Sequence, residues 1–288
     1  MKTVEITYRY GAAGGTPRPR PQDTEAARRR LVAGNREFAA MLAGLTGEGA
    51  ATRRVVEVDV RDLGLTLGGH VAPPQRPFAA VIGCSDARVP VELIFNEGPN
   101  DLFVVRIAGN GLGADVLGSV GYASEHLRDS LKLVVVLAHS GCGAMTAAVD
   151  LFLRPDSYLA LAGHHALRNI LDRQLIVVQA CAKFLTAAMG PGVTGRAGYR
   201  QALVELSIMI NAALAAHTVQ HQIGGDASNT LRSVFGVYLL ETHEVWVPGS
   251  DSADATGLAY PPTEAGEFQA LAETALRSGR IVSLLRAR

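Results

Sequence analysis

Three short, mostly apolar runs rich in Val, Ile and Leu constrain the fold of this chain more than any other feature: FAAVIG (78–83), LFVVRIA (102–108) and LKLVVVLA (131–138). Each is apolar on both faces and bounded by Gly or polar residues. That is the pattern of strands buried in a parallel sheet, not of strands with one face in water. Between the second and third runs lies GADVLGSVGYASEHLRD, a helix of crossover length. The unit is βαβ and the fold class α/β, with a central, mostly parallel sheet flanked by helices. A final strand pair, SVFGVYLL (233–240) and EVWVP (244–248), is turned by ETH and supplies an antiparallel C-terminal edge strand.

Around this core, VEITYRY (4–10) and VVEVDV (55–60) read as short edge strands that pair with each other. A helix starts at Asp23 or Thr24, with a capping residue, an acidic first turn and helical spacing of Leu31, Phe38 and Leu42. Further helices are expected over roughly 143–153, 163–189, 197–222 and 263–279, with a polar loop over 249–262. The whole chain, 1–288, reads as one domain. Residues 1–22 form an N-terminal extension, and 46–72 and 155–229 are insertions with no assigned role.

Composition narrows the function classes. The formal net charge is zero and no basic block exists, so there is no electrostatic footprint for nucleic acid. The N-terminus carries no apolar signal run. The most membrane-like stretch, NILDRQLIVVQACAKFL (169–185), is short and holds Asp172, Arg173 and Lys183, so a buried helix and no membrane are expected. Three cysteines make no disulfide framework, which points to a reducing cytoplasm and leaves Cys84 and Cys142 as candidate ligands or nucleophiles.

The chemistry gathers at the strand ends. The first run leads into GCSDARVP, where Cys84, Asp86 and Arg88 sit two residues apart and share one side if the chain stays extended. The third leads into HSGCG, with His139 and Cys142. Ligands of open parallel sheets collect beyond the carboxyl ends of the strands, so both clusters fall on the functional edge. Two thiols and an imidazole favour zinc, and three protein ligands with a fourth position open are the pattern of a catalytic site. Taken singly, each of these residues has a plainer reading, as a buried thiol or a structural ion pair. GNGLGA (109–114) fits a dinucleotide-binding turn, but the next strand ends in Ala138-His139 without the required carboxylate. Its glycines are read instead as permitting a close turn past the site. His217 and His221 lie four apart on a helix but lack a third ligand, and Cys181 reads as core.

CSDARVP followed further on by HSGCG resembles the β class of carbonic anhydrases, and LFVVRIAGN, GSVGYASEHL, VFGVYLLETHEVW and LVAGNREFA extend the resemblance. It covers residues 26–42, 75–153 and 230–247. It implies a fold like that class, one Zn2+ per chain on Cys84, His139 and Cys142, and reversible hydration of carbon dioxide to bicarbonate by zinc-bound hydroxide. Asp86 and Arg88 would form the catalytic dyad, Asp86 accepting the hydroxide's hydrogen bond and Arg88 holding Asp86 ionised and off the metal. Gln75 would contact substrate, with Phe103 and Tyr122 as pocket walls, and the pocket would lie in a homodimer or larger homo-oligomer. Val81 stands where one branch of the family has a Trp linked to an inhibitory bicarbonate site, so the open, water-bound form is expected. Ala87, Ile107 and Gly121 depart from the usual Ser, Asn and Glu. Two rivals stay open: hydrolysis of carbonyl sulfide or carbon disulfide on the same scaffold, and a catalytically weak zinc-stabilised scaffold or sensor.

Overall fold

The computed structural model describes residues 3–11, 19–45, 52–64, 72–223, 230–249 and 257–286. The central sheet holds β3 (Ala79–Gly83), β4 (Leu102–Arg106), β5 (Leu133–His139), β6 (Arg232–Tyr238) and β7 (Val245–Trp246), in the order β4-β3-β5-β6-β7. The first four run parallel and β7 pairs antiparallel with β6, as the sequence pattern predicts. Every residue of β3 and β5 is buried, as their largely apolar runs require, whereas β4, at the sheet edge, is half-buried with Arg106 exposed.

Alternate residues serve opposite faces. Ala80, Ile82, Val134 and Val136 pack with α3 (Ala114–His126), α4 (Gly143–Leu153), α5 (His165–Met189), α6 (Tyr199–Ile223) and α7 (Ala265–Arg277). Ala79, Val81, Leu133 and Val135 pack with α1 (Thr24–Ala43) and the one-turn α2 (Val91–Phe95). Asp23 caps α1 by accepting from the Ala26 amide at 2.7 Å.

β1 (Val4–Gly11) and β2 (Thr52–Asp59) pair with each other, parallel and over their full length. They form a separate two-stranded sheet instead of an edge of the central one. The remainder of 46–72 lies mostly outside the described residues, as does 250–256 of the expected loop. The expected helix over 263–279 is α7, and a further helix that was not expected follows it. α7 ends at Arg277, Ser278 is extended (ψ 145°), and α8 (Gly279–Arg286) begins anew. Among the described residues, the helix long and apolar enough to cross a membrane is α6, not the 169–185 stretch, and 78% of its apolar stretch is buried inside the fold.

Candidate metal centre

β3 and β5 are hydrogen-bonded neighbours, with Gly83 opposite Leu137, so the residues just past β3 meet those that close β5. Cys84 lies one residue past β3, His139 closes β5, and Cys142 caps α4. Their ligand atoms all lie within 4.8 Å of one another, and all three residues are buried. Among the described residues this is the one group of three or more side chains that could hold a metal ion. His139 Nδ1 lies 2.9 Å from the Ser140 carbonyl oxygen. The tautomer that donates there leaves Nε2 bare, and Nε2 is buried without a hydrogen-bond partner.

The electrostatics favour a cation between the two thiols. A hydrogen bond from Cys142 pulls the Cys84 thiol well below its ordinary pKa, against the opposing effect of burial, with His139 and the Gly109 amide assisting. Cys142 is pushed up by Cys84 and by burial, although amides at the start of α4 favour its thiolate. Two buried thiolates this close repel each other, so the pair cannot ionise fully without positive charge between them. A sulfur-rich set with one bare imidazole nitrogen matches zinc in donor chemistry, and three protein donors leave a coordination position open.

Asp86 and Arg88 meet because the chain turns, not because it stays extended. The Val89 amide donates to the Asp86 carbonyl at 3.1 Å, and the Arg88 amide donates to Asp86 Oδ1 at 2.9 Å. Arg88 Nε and Nη2 then reach Oδ1 and Oδ2 at 2.9 and 2.7 Å. These Arg88 bonds hold the Asp86 carboxyl below the usual carboxylate range. Asp86 Oδ2 is 3.8 Å from His139 Nε2, so the dyad borders the ligand cluster.

Several supports escape a reading of the sequence. Arg106, opposite Gly83 across the sheet, donates through Nε to the Cys84 carbonyl at 3.0 Å and through Nη2 to the Asp86 carbonyl at 2.5 Å. Its one signal in the sequence is a charge at the end of an apolar run. Asn110 is buried and donates to the carbonyls of Ile82 and Leu137, at 2.9 and 3.0 Å, clamping the two strands that carry the ligands. The Gly109 amide donates to Cys84 Sγ at 3.4 Å, while its carbonyl accepts from Gln174 Nε2 and Asn211 Nδ2, at 3.1 and 3.0 Å. The glycines of GNGLGA thus do bring the backbone close to the site.

The other candidates lie on other elements of the chain. Gln75 is exposed ahead of β3. Phe103 is half-buried on β4, against the core. Tyr122 is 47% exposed on α3, edge-on to His126. His217 and His221 contact each other, and His217 Nδ1 lies 2.8 Å from the Pro262 carbonyl. Cys181 is fully buried, its thiol pushed up to about 12 by desolvation.

A family model described as carbonic anhydrase matches residues 79–185, the segment from β3 into α5. Carbonic anhydrase 2 of Mycobacterium tuberculosis is 47% identical over 79 residues, 27% of this chain and 37% of the relative. The carbonic anhydrase of Mycolicibacterium smegmatis is 43% identical over 87 residues, 30% of this chain and 41% of the relative. The chain therefore spans less than half the length of these relatives. The solved structure of the β-carbonic anhydrase CcaA superposes with a TM-score of 0.50 and 19% identity, over 68% of this chain and 84% of that one. That likeness is one of fold. Residues 79–185 of the chain thus match the carbonic anhydrase family in sequence, and the fold around them is like that of a β-carbonic anhydrase.

Proposed function

We propose that the protein interconverts carbon dioxide and bicarbonate at one zinc ion held by Cys84, His139 and Cys142. The observation that carries this reading is the convergence of the three buried ligand atoms, within 4.8 Å, at the ends of two adjacent parallel strands. The chemistry a zinc ion supplies there is Lewis acidity, which makes hydroxide available near neutral pH.

The chain's own residues do the rest. Arg88 engages both Asp86 oxygens, so the carboxylate stays ionised and its direction is fixed. A remaining lone pair of Oδ2, on the His139 side, accepts the hydrogen bond of the attacking oxygen nucleophile and orients it toward the substrate carbon. Arg106 anchors the backbone of both Cys84 and Asp86, coupling the ligand to the dyad. Gln75, Phe103 and Tyr122 are assigned to the substrate side through a second copy of the chain. The exposure of Gln75 and Tyr122 supports this, as does the place of Phe103 on the open edge strand β4. Light scattering should then give a multiple of 30.3 kDa, and a monomer would remove that assignment. The free thiols Cys84 and Cys142 favour a reducing compartment, and we place the protein in the cytoplasm. Fractionation of cells tests this.

Asp86→Ala tests the dyad. The variant should keep one zinc per chain and lose about 10²–10⁴-fold in kcat/KM for CO2 hydration, the usual worth of a positioned proton acceptor. Undiminished turnover with full zinc would exclude Asp86 from the mechanism.

A further inference from the structure

Only Ser140 and Gly141 separate His139 from Cys142, and both are gripped from distant elements. Glu205, buried on α6, accepts the Gly141 amide at Oε1 over 3.0 Å. Gln201 Nε2 also reaches Oε1, at 3.3 Å. Glu205 Oε2 takes Arg280 Nη2 at 2.6 Å and Nε at 3.2 Å. Arg280, on α8, pairs through Nη1 with Glu241 Oε1. Glu241 Oε2 accepts from Ser140 Oγ at 2.9 Å, and Ser140 Oγ accepts the Leu240 amide at 2.9 Å. The contacts close a ring: Gly141, Glu205, Arg280, Glu241, Ser140.

A buried carboxylate is a poor choice for stability alone, since an apolar side chain of similar volume would fill the site at lower cost. What Glu205 provides that no apolar residue can is a charged acceptor for the amide between two ligand residues. That amide belongs to a left-handed residue, Gly141 at φ +62°, so the turn has a conformation worth holding. We infer that Glu205 and Arg280, with Glu241, are positioning residues of the metal site. They fix the Ser140–Gly141 turn so that His139 Nε2 and Cys142 Sγ converge on one point. The inference rests on zinc binding at Cys84, His139 and Cys142, and it gives part of the 155–229 segment and α8 a role in that binding.

The ring lines a cavity of about 760 Å³, so removing Arg280 leaves Glu205 within reach of water and the variant should fold. The test compares Arg280→Met, Arg280→Lys and the nearly isosteric Glu205→Gln by chelator competition for zinc, with the visible spectrum of the Co(II)-substituted protein as second readout. Arg280→Met and Glu205→Gln should weaken zinc affinity by about 10–100-fold, the usual effect of losing an outer support, and should shift the thiolate-to-cobalt bands. Arg280→Lys should recover part of both. Arg200→Met, which breaks the Arg200–Asp150 pair between α6 and the C-terminal half of α4, should leave both unchanged. Folded variants with wild-type affinity and spectrum would overturn the positioning role. A wild-type protein that binds no zinc would instead remove the reading beneath it. Should Arg280→Met not fold, Glu205→Gln carries the test.

Discussion

Cys84 is held from more directions than a buried thiol needs. Arg106 fixes its carbonyl, and the Gly109 amide reaches its sulfur. Gln174, almost wholly buried, grips the Gly109 carbonyl from α5, and Asn211 does so from α6. Gly109 itself is left-handed, at φ +62°, and a Cβ there would lie 2.0 Å from Gln174 Nε2. Gly109→Ala should therefore cost about 1–3 kcal/mol for the backbone alone, before Gln174 is displaced. A urea melt with a lowered midpoint and unchanged slope would show it, and a wild-type midpoint would contradict it. Zinc affinity should fall in parallel, because the displaced amide is the one on the Cys84 sulfur.

The elements divide by how far their causes lie along the chain. The buried strands were legible because short runs rich in Val, Ile and Leu, apolar on both faces, have few other destinations. The ligands were legible because they close those runs. The five-residue α2 was not, being too short for periodicity to register. Nor was the break between α7 and α8, which rests on the backbone of Ser278 alone. The glycine inside LVAGNREFA, which should weaken a helix by about 1 kcal/mol, is explained only by packing. A Cβ at Gly34 would lie 2.0 Å from the Phe95 carbonyl oxygen. Its neighbour Asn35 joins three elements: Nδ2 donates to the Ile94 and His243 carbonyls, at 3.3 and 3.0 Å, and Oδ1 accepts the Val245 amide at 2.7 Å. Asn35→Ala strands these groups in the core and should lose about 3 kcal/mol, measurable by chemical denaturation. A loss within error of zero would mean that water replaces the side chain.

At the scale of the whole molecule, the metal centre is where the two ligand-bearing strands, the N-terminus of α4 and the long helices α5 and α6 converge. The sequence indicates the ligands but not Gln174, Glu205 or Asn211, because each bonds the site across 64 residues or more. No local pattern encodes such contacts. On the proposed zinc reading the same convergence would couple metal binding to folding, since a preformed ligand set rarely survives unfolding. Chelation should lower Tm by several degrees, corresponding to about 4 kcal/mol at zinc a thousandfold above its Kd, and added zinc should restore it. An unchanged Tm on chelation would mean that the fold holds itself without the ion. The most direct test of the account is stopped-flow CO2 hydration near pH 8 on protein loaded with graded amounts of zinc. The account predicts turnover well above buffer that rises in proportion to zinc and saturates at one ion per chain. Full occupancy with no turnover above buffer would contradict it.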